Sequence, residues 1–245
     1  MPSEDLDLTA ESAERGGSQP LRGYLALPEG DGPWPGVVVI HEIMGLDAQT
    51  RRHADRLALA GYLALAVDLF SVGGPRCVVA TMRALRRGAG RPCVDITTAQ
   101  QRLRADSRCT GRVGVIGFCM GGAFALLTAA AGFDAASANY GSLPPDPEAA
   151  FDGACPVVGS YGGRDLSLRG TASTLASALE RAGVEHDIKE YPGAGHAFLD
   201  DALIGPAVLH PLLRVSGMGP HPEAAADAWR RIESFFATHL ADARP

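Results

Sequence analysis

Arg112-Val-Gly-Val-Ile-Gly-Phe-Cys119-Met-Gly-Gly122 is the stretch on which the fold turns. Its first half is a continuous apolar, β-branched run, the pattern of a strand buried on both faces. Its second half opens directly into the small-residue run Gly121 to Ala131, which predicts a helix. A strand that becomes a helix within so few residues forces the central residue into a strained backbone. Glycines must flank it, because a Cβ there would meet the helix or a neighbouring strand. Cys119 is therefore expected at the top of a sheet and at a helix N-terminus. Unpaired N–H groups and the positive end of the helix dipole favour thiolate there. The Met120 amide points the same way and can stabilise an oxyanion.

Outward from this point the chain alternates. Strands are predicted at Leu21 to Leu27, Gly36 to His41, Tyr62 to Val67, Arg112 to Gly117, Ala135 to Tyr140, Pro156 to Tyr161 and His186 to Tyr191. Helices are predicted at Ala48 to Ala60, Val78 to Arg87, Ile96 to Leu103, Gly121 to Ala131, Leu168 to Ala182 and Ala224 to Leu240. Such alternation implies an α/β fold with a mostly parallel central sheet and helices on both faces. With no repeat or composition shift to divide it, residues 19–245 read as one domain, preceded by a polar, flexible lead over residues 1–18. The stretch Asp200 to Pro222, rich in Gly and Pro, is long for a plain connection and is expected to form a small flap.

Composition narrows the function. Of 245 residues 46% are hydrophobic and 20% charged, enough apolar content for a sizeable core. No apolar stretch approaches the ~20 residues of a bilayer helix, and Met1 to Gln19 is polar and acidic rather than a signal peptide. The net charge of −6 disfavours nucleic acid and anionic membranes as partners. Five scattered cysteines without a Cys-x-x-Cys pair suggest neither a disulfide framework nor a zinc site. A cytoplasmic location, no metal and no cofactor are the expectations.

A nucleophile needs a base and the base an orienting acid. Asp165 follows the strand Pro156 to Tyr161 in Tyr161-Gly-Gly-Arg-Asp165, and His196 follows the next strand in Tyr191-Pro-Gly-Ala-Gly-His196-Ala-Phe198. The order nucleophile, acid, histidine is that of α/β-hydrolases. Glu42, in His41-Glu42-Ile43-Met44-Gly45, lies in the loop where this fold supplies its second oxyanion amide, and its charge would oppose a thiolate.

These motifs resemble the dienelactone hydrolase family, the cysteine branch of the α/β-hydrolases. The likeness extends from about Gly23 to Leu240 through His41 to Leu46, Gly61 to Phe70, Gly117 to Gly122, Gly162 to Asp165 and Tyr191 to Phe198. It implies a triad of Cys119, His196 and Asp165, an oxyanion hole from the Ile43 and Met120 amides, and an acyl-thioester intermediate. It also implies that Glu42 holds the resting cysteine as a thiol until substrate displaces it. The implied substrate is a small ester or lactone; a monomer or small homo-oligomer is the expectation for the assembly. Two arginines that hold the carboxylate of dienelactone in the family are replaced here by Val72 and Asp200, leaving Arg76 or Arg164 as the candidates to compensate.

Two rival readings stand beside it. A glutamine-amidotransferase-like enzyme needs a Glu two residues after the histidine, where this chain has Phe198. A non-catalytic or redox-sensing protein would use Cys119 alone. Hydrolysis of p-nitrophenyl acetate that vanishes in Cys119→Ala separates the enzyme from the sensor.

Overall fold

The structure, a computed structural model, describes residues 2–203 and 218–241. Its centre is a single eight-stranded sheet in the order β1-β2-β4-β3-β5-β6-β7-β8. The strands are β1 (Ser3–Asp7), β2 (Arg22–Ala26), β3 (Trp34–Ile40), β4 (Leu63–Asp68), β5 (Cys109–Phe118), β6 (Ala135–Asn139), β7 (Val157–Gly162) and β8 (His186–Tyr191). From β4 to β8 every pairing is parallel, and β1 and β2 close one edge antiparallel.

The apolar strand sequences explain the middle of the sheet. Val38 pairs with both Leu65 and Val115, and alternate residues of β3 enter two separate cores. Val38 and Ile40 face α4 (Arg91–Arg104), α5 (Met120–Leu127) and α7 (Thr171–Arg181), packing with Ile96, Phe124 and Leu175. Val37 and Val39 face α2 (Ala48–Leu59) and α8 (Pro222–His239), packing with Leu57, Trp229 and Phe236. The first core also takes in α3 (Gly74–Arg87) and the short α6 (Pro147–Phe151) through Leu85 and Phe151. Asp47 caps α2 by accepting from the Thr50 N–H at 2.9 Å, which fixes where the chain leaves the loop after β3.

The amino-terminal lead is not frayed as its polarity predicts. Residues 3–7 form the edge strand β1, and α1 (Thr9–Glu14) follows with Leu8 buried. An antiparallel edge needs no apolar face on its solvent side, so a polar strand is stable there. The buried Asp95 of α4 anchors the segment by accepting from Ser12 Oγ (3.0 Å), the Ser18 N–H (2.7 Å) and Ser18 Oγ (2.6 Å). Of the expected flap at 200–222, residues 204–217 lie outside the described residues.

Candidate active site

Cys119 is the single residue between β5 and α5, with φ 53° and ψ −115°. Its N–H donates to the Asn139 carbonyl at 3.0 Å and its own carbonyl accepts from the Ala123 N–H at 3.2 Å. The flanking glycines have a steric cause. A Cβ on Gly117 would stand 1.9 Å from the Gly121 carbonyl oxygen, and one on Gly121 would stand 2.2 Å from that of Ile40. Helix α5 thus leaves the sheet at a distance only glycine allows. Neither the Met120 nor the Ile43 amide N–H has an acceptor among the described residues.

Asp165 stands just beyond β7, at the head of the single turn Leu166–Leu168. Its Oδ1 accepts from the Ser167 N–H (3.0 Å) and Ser167 Oγ (2.6 Å). Its Oδ2 lies 2.5 Å from His196 Nδ1. Burial pushes the Asp165 carboxyl up, but the bonds from His196 and Ser167 outweigh it and hold the group below the usual range. His196 reaches this point from the loop after β8, followed by Ala197 at φ 58°. Burial disfavours the imidazolium. The Asp165 hydrogen bond, the Cys119 sulfur against the ring and the negative charges of the thiolate and of Asp165 overcome it, raising His196 to about 10.

Cys119, His196, Glu42 and Ile43 line one cavity of about 170 Å³ together with Ala197, Leu203, Met218 and Gly219. Larger clefts of about 420 and 410 Å³ lie elsewhere on the surface and contain none of these residues. Volume is therefore a poorer guide here than chemistry.

Glu42 is buried, and its Oε1 has no hydrogen-bond partner. Burial first, and then the nearby Asp200, push its carboxyl up to about 8, against the opposing pull of His196 and Tyr140. The Tyr140 hydroxyl faces Glu42, yet it too lacks a hydrogen bond of good geometry. The same tyrosine sits at φ 41° with its ring 5.1 Å from that of His196. Beneath the loop, His41 is fully buried. Its Nε2 accepts from the Leu69 N–H at 3.0 Å, so the proton is on Nδ1, which donates to the Glu42 carbonyl at 2.5 Å. Burial lowers its pKa and keeps this ring neutral, a fixed support for the loop bearing Glu42 and Ile43.

Sequence and structure diverge over the charged residues around the cavity. Asp200, which occupies a family arginine position, is buried with Oδ1 3.3 Å from His53 Nε2 and with Oδ2 unpartnered. His53 in turn stacks on Phe118 at 4.0 Å. Arg76 and Arg164 are exposed and neither lines the cavity. Tyr140 and His53 belong to no motif, and only their place beside β6 and under the elbow shows that they matter. Among the described residues no group of three or more His, Cys, Asp or Glu could hold a metal, and no helix is long and apolar enough to cross a membrane.

A cysteine elbow, a histidine and an aspartate at successive strand ends are the arrangement that the sequence likeness implies. The sequence model of the dienelactone hydrolase family matches residues 21–240. The chain belongs to the dienelactone hydrolase family. A Yersinia pestis protein named "Putative carboxymethylenebutenolidase" is 32% identical to it over 244 residues, covering 92% of this chain and 86% of the relative. The crystal structure of a Klebsiella pneumoniae protein titled a "Putative Dienelactone Hydrolase" superposes with a TM-score of 0.76. It is 28% identical and covers 96% of this chain and 98% of that one. A dienelactone hydrolase-like promiscuous phosphotriesterase from metagenomic libraries shares the fold at a TM-score of 0.81 and 24% identity, covering 98% and 99%. This member of the dienelactone hydrolase family is thus an α/β-hydrolase and an enzyme of the ester- and lactone-hydrolase class. The non-catalytic reading ends here.

Proposed function

We propose that the enzyme cleaves a small carboxylic ester or lactone by covalent catalysis at Cys119, with His196 as base and Asp165 as its orienting acid. The 2.5 Å contact between His196 Nδ1 and Asp165 Oδ2 carries this reading, because it fixes the ring with its other nitrogen free for the thiol. Sγ first passes its proton to His196, whose partners favour the imidazolium, and the resulting thiolate bonds to the substrate carbonyl carbon while the carbonyl electron pair moves onto oxygen. The Met120 and Ile43 amides, whose N–H groups have no acceptor among the described residues, are the proposed donors to that oxyanion. When the intermediate collapses, the C–O bond breaks and the imidazolium gives its proton to the departing alkoxide. Water, deprotonated by His196, then attacks the thioester. The acid leaves, and Sγ regains a proton.

The family resemblance gives Glu42 the role of holding the resting cysteine as a thiol, and on our reading a carboxyl raised to about 8 exerts that restraint only when it ionises. A neutral carboxyl adds no negative charge beside the sulfur, so the thiolate is not opposed until Glu42 ionises. A cytoplasmic, cofactor-free enzyme acting on a small molecule completes the proposal.

The test is p-nitrophenyl acetate hydrolysis with mass spectrometry of the quenched enzyme. An acyl adduct on the Cys119 peptide, absent along with turnover in Cys119→Ala, is expected. Undiminished hydrolysis by Cys119→Ala would overturn the mechanism.

A further inference from the structure

We infer that the cavity selects short acyl groups without negative charge, and that Asp200 sets the charge part of this selectivity. The inference deepens the proposed function and rests on it for the identity of the acyl site.

Size comes from the volume. At roughly 30 Å³ for each water-sized group, a cavity of about 170 Å³ takes five or six heavy atoms, the size of a butyryl group rather than an octanoyl one. Leu203, Met218 and Ile43 wall it with apolar surface. Gly219 also presses against Leu203, where a Cβ would stand 2.3 Å from Leu203 Cδ2, so this wall is already at contact.

Charge comes from acidic side chains. Two buried carboxyl groups, each with one oxygen unpartnered, belong to this site: Glu42 in the cavity lining, and Asp200, whose N–H donates at 3.2 Å to the carbonyl of the lining residue Ala197. The Asp200 side chain has a single hydrogen-bond partner among the described residues, His53. It is close enough to act electrostatically on both Glu42 and Tyr140. No Lys or Arg lines the cavity among the described residues. Glu42 is neutral below about pH 8, so the fixed negative charge is that of Asp200, and a carboxylate on the acyl group would add a like charge to a poorly solvated space, where one ~10 Å away shifts a rate by about tenfold.

Two paired measurements test this, one of them independent of turnover. Alkylation of Cys119, followed on its own peptide, is compared for neutral iodoacetamide and anionic iodoacetate, each rate divided by that for glutathione. His196 as imidazolium would by itself favour the anion, so a preference of about tenfold or more for iodoacetamide reports the acidic surroundings. Asp200→Asn, which keeps shape and removes charge, should narrow that preference several-fold. In turnover, p-nitrophenyl butyrate should exceed both p-nitrophenyl hydrogen succinate and p-nitrophenyl octanoate about tenfold in kcat/KM. Asp200→Asn should raise the succinate-to-butyrate ratio.

Iodoacetate reacting as fast as iodoacetamide, or succinate cleaved as well as butyrate, would overturn the charge selectivity. Octanoate cleaved as well as butyrate would overturn the size limit. An unchanged ratio in Asp200→Asn would remove Asp200 from the account. A purely structural Asp200 would lower both rates alike and leave the ratios still. Failure of the proposed function itself reads differently, as hydrolysis that survives Cys119→Ala while the alkylation preference persists.

Discussion

Removing the charge option from Glu42 should change how stability depends on pH. Its carboxyl is raised from an ordinary 4.5 to about 8, first by burial and then by Asp200. The folded state thus holds a proton that the unfolded chain releases above pH 4.5. Between these two values the unfolded state binds fewer protons, so stability falls as pH rises. At about 1.4 kcal/mol for each pH unit, the loss from this group between pH 4.5 and 7 is about 3 kcal/mol, and it levels off above pH 8. Glu42→Gln mimics the protonated side chain and does not titrate. Urea unfolding at pH 5 and pH 7.5 should show the variant gaining on wild type by about 3 kcal/mol between the two conditions, the upper end of the effect. Parallel stability profiles for the two proteins would refute a raised Glu42, and with it the idea that a neutral carboxyl sits beside the resting sulfur.

Other substitutions probe separate parts of the site. Asp165→Asn keeps a group near His196 Nδ1 but removes the charge that orients and stabilises the imidazolium; kcat/KM for p-nitrophenyl acetate should fall about 10³-fold or more. Cys119→Ser should leave only weak esterase activity, since a hydroxyl is far harder to ionise than a thiol; parental rates would refute the thiolate. Gly121→Ala must place a Cβ 2.2 Å from the Ile40 carbonyl oxygen. Loss of at least about 3 kcal/mol of stability, read from urea unfolding, is the expected result.

Much of this molecule is legible in its sequence, and the illegible remainder has physical causes. The central strands announce themselves because a parallel strand is covered on both faces, so Val37 to Ile40 and Val113 to Ile116 must all be apolar. The elbow is legible because its glycines are steric necessities visible as letters. Strand β1 is not, since a polar edge strand carries no more pattern than a loop, and what anchors the segment after it is Asp95, over seventy residues away in the chain. Asp200 shows the same limit at the site. Its identity suggests a charge exposed to substrate, whereas it is buried against His53, a relation between α2 and the loop after His196 that no local window contains.

The backbone supplies a different kind of information. Among the described residues only three non-glycine residues have positive φ, Cys119, Tyr140 and Ala197, and all three belong to the candidate site. Such conformations cost about 1–3 kcal/mol each, so each persists only where its surroundings impose it. Cys119 is held by its bonds to Asn139 and Ala123, and Tyr140 by its N–H to the Ser160 carbonyl at 2.8 Å. Ala197 lies in the turn whose carbonyl accepts from the Asp200 N–H at 3.2 Å. Asn139 and Tyr140 are neighbours, so the end of β6 constrains the nucleophile and the ring beside His196 together. The strain is thus borne at the ends of parallel strands whose interiors are packed and paired. That is where a rigid scaffold can hold side chains in positions a relaxed loop would not keep.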